Sequence, residues 1–192
     1  AAFDGTLNVG AGQSYEMGFG GLSNTGQINL TGGTYLAPTL NHFGAMDVST
    51  APSSIKAVAS FENGSNTNVN ADLTLELDSL FRAGASVNGS ASLINSPGAT
   101  LTALDGVQLN VKLVNQGDLS IGSSPGTLVV DDFTQAPSGG LEIELQGLIQ
   151  GGSYDWLKVG DNATLAGLLE VALLGGYLPT IGDTYQVLTA GS

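Results

Sequence analysis

The feature that most limits what this chain can fold into is a recurring unit: an Asn or Ser, a Gly within a few residues, then apolar positions alternating with polar ones. It occurs as "NTGQINL" (24–30), "NHFGAMDV" (41–48), "NGSNTNV" (63–69), "NGSASL" (88–93), "NSPGATL" (95–101), "NQGDLSI" (115–121) and "SSPGTLVV" (123–130). Asn and Gly tolerate left-handed backbone angles, so each cluster turns the chain. The alternation that follows has the period of a half-buried strand. Ile28 and Leu30 are thus expected to point inward and Gln27 and Asn29 outward. Leu73, Leu75 and Leu77 are expected inward, against Thr74, Glu76 and Asp78. One unit cannot bury its apolar face alone, but stacked units can. Repeat starts about twenty residues apart, with variation, fit a solenoid with turns of unequal length. The expected fold is all-β: a right-handed parallel β-helix (β-solenoid) without helices and with a C-terminal capping region.

From residue 123 onward the texture changes. "LVVDDFTQ" (128–135), "LEIELQG" (141–147), "YDWLKVGDNATLAGLLEVALL" (154–174) and "GDTYQVLTA" (182–190) read as longer strands joined by glycine-rich turns. The alternation of Leu169, Val171 and Leu173 after Gly167 favours strand over helix in the one stretch that could be either. The organisation expected is solenoid rungs over 1–122, then last rungs and a cap over 123–192, continuous with them. An uncapped solenoid end offers unpaired backbone to any passing strand, which is why a cap is expected.

Composition narrows the function classes. Only 11% of residues are charged, and 17 acids face four cations, Lys56, Arg82, Lys112 and Lys158, for a net charge of −13. Four scattered cations cannot neutralise a run of phosphates, so nucleic acid is not an expected partner. The same deficit argues against docking on an anionic membrane. No apolar run reaches the length of a membrane span, so no membrane insertion is expected. With no cysteine there is neither a disulfide framework nor a thiolate metal site. "AAFDG" reads as a mature start after small-residue cleavage, which suggests a secreted protein whose signal peptide has been removed.

The order of motifs in the last third carries a resemblance. A Ser-Pro-Gly-Thr-Leu turn (Ser124 to Leu128) is followed by an aromatic-Thr-Gln strand end (Phe133 to Gln135) and a Leu-Glu-Ile-Glu-Leu strand (Leu141 to Leu145). A Tyr-Asp-Trp-Leu segment (Tyr154 to Leu157) and a final Gly-Asp-Thr-Tyr-Gln-Val-Leu strand (Gly182 to Leu188) complete it. This block resembles one found in bacterial secreted and cell-surface β-helix proteins of the autotransporter-passenger type. The resemblance implies an extracellular β-helix of structural or adhesive character, and it carries no catalytic residues with it.

Candidate sites are few. His42, the single histidine, has Asp47 nearby in sequence, and a His–Asp pair can serve as a general base. With no nucleophile or cleft in view, His42 is expected to be a turn residue at the solenoid surface. A lyase would need clustered cations, yet Arg82 stands alone in "SLFRAGA". A hydrolase would need two carboxylates, and Glu142 with Glu144 or Asp131 with Asp132 could supply them. Outward-facing strand carboxylates are the expected reading of both pairs.

Asp118, Asp131, Asp132, Asp155, Asp161 and Asp183 lie near glycine-bearing turns, which permits a structural Ca2+. Neither an EF-hand loop nor a glycine-aspartate nonapeptide is present, so no cofactor is expected. Tyr154, Asp155 and Trp156 form the most distinctive cluster and are expected to pack over the last rung rather than bind a sugar. The glycosylation-type triplets at Asn63, Asn88 and Asn162 are assigned no role.

The function expected is a non-enzymatic extracellular building block, a β-solenoid of a surface layer or self-assembling filament whose partners are copies of itself. The alternative is an adhesin that recognises glycans or host surfaces. Its binding loop would be the irregular stretch "FGAMDVSTAPSSIKAVASFENGSN" (43–66).

Overall fold

In the computed structural model, which describes residues 2–16, 22–122 and 125–191, every regular element is a strand. Strands pair in parallel with those one turn earlier and one turn later, and the chain winds into a β-solenoid. Each turn visits three faces in order. The first face holds Leu22–Asn24, Ser79–Phe81, Thr100–Ala103, Asp118–Ile121, Gly140–Leu145 and Leu168–Leu173. The second holds Thr6–Gly10, Gln27–Thr31, Ala45–Val48, Asn66–Val69, Trp156–Val159 and Leu188–Ala190. The third holds Ser14–Glu16, Leu73–Leu75 and Ala163–Thr164.

Longer strands run round corners and serve two faces. Thr34–His42 and Ser53–Asn63 join the third face to the first of the next turn, while Ser86–Asn95, Gln108–Asn115 and Thr127–Gln135 join the second to the third. Register shifts mark these corners, between Ala37 and Thr39, Asn88 and Ser92, and Leu109 and Lys112.

The alternation read from the sequence sets the core. Side chains one turn apart stack at the parallel strand spacing of about 4.8 Å, so equivalent inward positions form columns. On the second face Ile28, Met46, Thr67, Val87, Leu109, Val130 and Val159 stand in one such column, all buried. On the third face Leu73, Leu93, Leu113 and Phe133 form another. Ile28 and Leu30 are inward as expected, as are Leu73, Leu75 and Leu77.

Two corners carry buried amides. At the corner between the first and second faces, Asn24, His42 and Asn63 are stacked in register. Between the third and first faces, Asn95, Asn115 and Gln135 do the same. A turn exposes backbone polar groups to the core, and an inward amide answers them. Asn24 Oδ1 accepts from Gly26 N at 3.0 Å, and Asn115 Nδ2 donates to Gly140 O at 2.9 Å.

Two expectations are corrected here. His42 is not a surface turn residue but fully buried, because the register of Thr34–His42 turns it inward into the Asn24 column. The segment 43–66 is not a loop: it contains the strands Ala45–Val48 and Ser53–Asn63 and is a rung like its neighbours.

Candidate assembly interface

The residues proposed for chemistry fall on different surfaces. Asn24 Nδ2 lies 3.1 Å from His42 Nδ1, an amide donor facing a neutral ring nitrogen, and His42 Nε2 has no partner. Burial pushes the imidazole down to about 4. Asp47 points outward on the second face, where it accepts from Gln27 Nε2 at 2.6 Å and Asn68 Nδ2 at 2.6 Å. The His–Asp pair therefore does not form. Asp47 instead belongs to an outer row with Asn8, Asn29 and Asn68, tied between turns by side-chain hydrogen bonds.

Glu142 and Glu144 alternate with buried Leu141, Ile143 and Leu145 and face outward on the first face. Glu142 stands in register with Glu170 one turn on, in an open groove of about 180 Å3 with Asp118, Ser120 and Thr100. No cation or aromatic ring lines that groove to hold a sugar. Asp131 is exposed at the corner after the second face, and its carboxyl is held above the usual range by partial burial and then by Asp161 and Asp132. Asp132 accepts from Asn162 N and Nδ2. Asp183 accepts from Thr180 N at 2.7 Å. Among the described residues no three His, Asp or Glu side chains converge to hold a metal ion.

The cluster Tyr154, Asp155 and Trp156 packs. Tyr154 is buried and meets the Tyr185 ring edge-on at 5.3 Å, and Tyr185 shares a 2.7 Å hydroxyl contact with Tyr177. Asp155 lies inside the fold and accepts from Gly126 N at 2.6 Å and Glu144 N at 2.7 Å, joining two faces. Burial nonetheless raises its carboxyl to about 6, against the two backbone donors. Trp156 donates Nε1 to Thr189 at 2.9 Å with Lys158 over its ring.

What sequence reasoning missed is the state of the C-terminal end. Leu168–Leu173 pairs in register with Gly140–Leu145, so Leu169, Val171 and Leu173 continue the columns of Leu141, Ile143 and Leu145. The lower three are buried, yet the upper three are 53%, 55% and 48% exposed. Among the described residues no further strand pairs with Leu168–Leu173. Tyr154 belongs to the core here, and Tyr177 and Tyr185 pack against it.

Beside Leu169 opens a cavity of about 270 Å3, lined mainly by Leu141, Leu165, Leu168, Val187, Leu188 and the buried Gln135. Among the described residues every exposed large apolar side chain except Phe43 lies at or beyond Leu148. Alternation in the sequence tells which side a residue faces, but it carries no signal for whether another level covers it.

No family model matches the chain, and no curated protein or solved structure matches it.

Proposed function

We propose that this chain is a non-enzymatic structural building block of an extracellular layer or filament, and that it works by associating through the ends of its solenoid. One observation carries the reading: among the described residues Leu168–Leu173 pairs along one edge alone, with Gly140–Leu145, and Leu169, Val171 and Leu173 stand half exposed on the same surface. Soluble monomers keep contiguous apolar patches to a few hundred Å2 and protect free strand edges. Among the described residues the face of Leu168–Leu173 does neither.

Glu142 and Glu144 face outward, Asp155 is bound to backbone inside the fold and the histidine is buried, which supports a structural rather than catalytic role. The segment expected to present a binding loop is a rung, so no observation favours glycan recognition over assembly. The test is mass by light scattering, together with negative-stain electron microscopy, over a concentration series. Oligomers or filaments growing with concentration are expected, and a monomer throughout would sink the reading.

A further inference from the structure

Asn24, His42 and Asn63 lie one above another at the buried corner between the first and second faces, and Phe81 is the next member of the column. The two amides do the same local work. Asn24 Oδ1 accepts from Gly26 N at 3.0 Å and Asn63 Oδ1 from Ser65 N at 3.4 Å, each holding the turn two residues on. The His42 side chain has no oxygen for Gly44 N. Its ring serves the turn below instead, with Nδ1 3.1 Å from Asn24 Nδ2. Gly26 N fixes which way the Asn24 amide points, and an amide nitrogen only donates. Nδ1 is therefore the accepting nitrogen, and the ring hydrogen sits on Nε2, which is buried without a partner.

A proton on Nδ1 fails twice in this place. It sets a donor against a donor, and it puts a charge where none is balanced. Among the described side chains of the strands packed around the ring, Asp47 bonds Gln27 and Asn68 on the outer surface, and Lys56 pairs with Glu76 there. Asp4 and Arg82 are exposed at the same corner. Burial alone holds the imidazole below its ordinary range. The other buried corner is built from Asn95, Asn115 and Gln135, which do not titrate.

We propose that His42 is a proton-operated latch: neutral, it ties the turn at 42–44 to the turn at 24–26, and protonated, it lets this corner open to water while the Asn95 corner stays closed. The inference goes beyond the assembly reading and stands independently of it. The charged ring is favoured only in water, so acid selects the open corner. The ring titrates near 4 in the closed corner and near 6.5 in water. Between those values the open population rises about tenfold for each unit of pH lost. What opens is the backbone bonded across the column: Phe43 N to Asn24 O at 2.7 Å, Ala45 N to Gly26 O at 3.1 Å and Gly64 N to His42 O at 2.8 Å.

The experiment is amide hydrogen exchange of the whole chain, read as protection factors between pH 6.5 and 4. Protection at Phe43, Ala45 and Gly64 is expected to fall by more than about tenfold. Gln116, Asp118 and Ala136, bonded in the same way at the other corner, are expected to hold within about twofold. His42→Phe places in the column a ring of the kind Phe81 already supplies, without a titrating nitrogen, and its protection at 43–45 is expected to stay level across the window. Equal loss at both corners, or an undiminished fall in His42→Phe, overturns the latch. Should that variant not fold, nitrogen-15 shifts of the wild-type ring decide. A ring protonated on Nε2 that titrates well below 6.5 supports the latch, and one protonated on Nδ1, or titrating at 6.5, overturns it.

Discussion

Asn95 donates its side-chain Nδ2 to Asn115 Oδ1 at 2.8 Å, one turn of the solenoid away and inside the core. Asn115 in turn donates to Gly140 O, so the two amides link three successive turns at one corner. Each is held in place by backbone as well as by its neighbour: Asn95 Nδ2 also reaches Asp118 O at 2.9 Å.

Asn115→Leu keeps the volume and removes the link, leaving Gly140 O without its donor. The expected loss is about 2 to 3 kcal/mol, the usual cost of stranding a buried polar group. Urea unfolding should show a lower midpoint with an unchanged slope. A change within about 0.5 kcal/mol would place the amides among incidental surface-like contacts.

How much of this was legible in the sequence depends on the residue. Ile28, Leu30, Leu73 and Leu75 were readable because alternation is local and each strand carries its own phase. His42 was not. In "NTGQINL" and "NGSNTNV" the first Asn is itself the buried corner residue, whereas in "NHFGAMDV" the register buries His42 and sets Asn41 outside. The motif begins one residue out of phase with the column, and a shift of one reverses every facing. The strand Ser53–Asn63 was hidden because it bends round a corner, where the alternation breaks. The exposure of Leu169, Val171 and Leu173 was hidden for a different reason. Leu168–Leu173 has the same alternation as the covered Gly140–Leu145.

Two buried groups give the stability opposite pH dependences. His42 titrates near 4 in the folded chain and near 6.5 unfolded, so its contribution is fully present above 6.5 and is lost as pH falls through 4. Asp155 titrates near 6 folded and 3.8 unfolded, so its contribution is fully present below 3.8 and is lost as pH rises through 6. Each is worth on the order of 3 kcal/mol across its window, and the windows overlap. Relative to the wild type, His42→Asn should gain stability on acidification from 7 to 4, and Asp155→Asn should lose it. Denaturant midpoints at several pH values decide this. Parallel profiles for all three proteins would remove both assignments.

Close stacking at the corners makes some glycines irreplaceable for reasons of space. A Cβ on Gly44 would fall against Gly26 O and the carbonyl of Thr25, backbone of the turn below, which cannot move aside. Gly84 has positive φ but open space around it. Gly44→Ala should therefore cost more than about 3 kcal/mol and Gly84→Ala about 1 kcal/mol. Thermal unfolding of the two variants side by side tests the ranking. A reversed order would mean that the turns do not stack as closely as described.

The charge of the chain sets the conditions under which assembly should be visible. A net charge of −13 repels a second copy, and Glu170 stands between the exposed Leu169 and Val171. Attraction at the leucine-lined face comes from apolar burial and backbone pairing, neither of which salt screens. Repulsion is screened: the Debye length falls from about 30 Å at 0.01 M to about 10 Å at 0.1 M. Association should strengthen as sodium chloride rises from low concentration, and strengthen further in sulfate at equal ionic strength, because sulfate also favours apolar burial. Light scattering at fixed protein concentration measures both effects. Weakening with salt would show instead that ion pairs hold the copies together, and would move the interface away from the leucine-lined end.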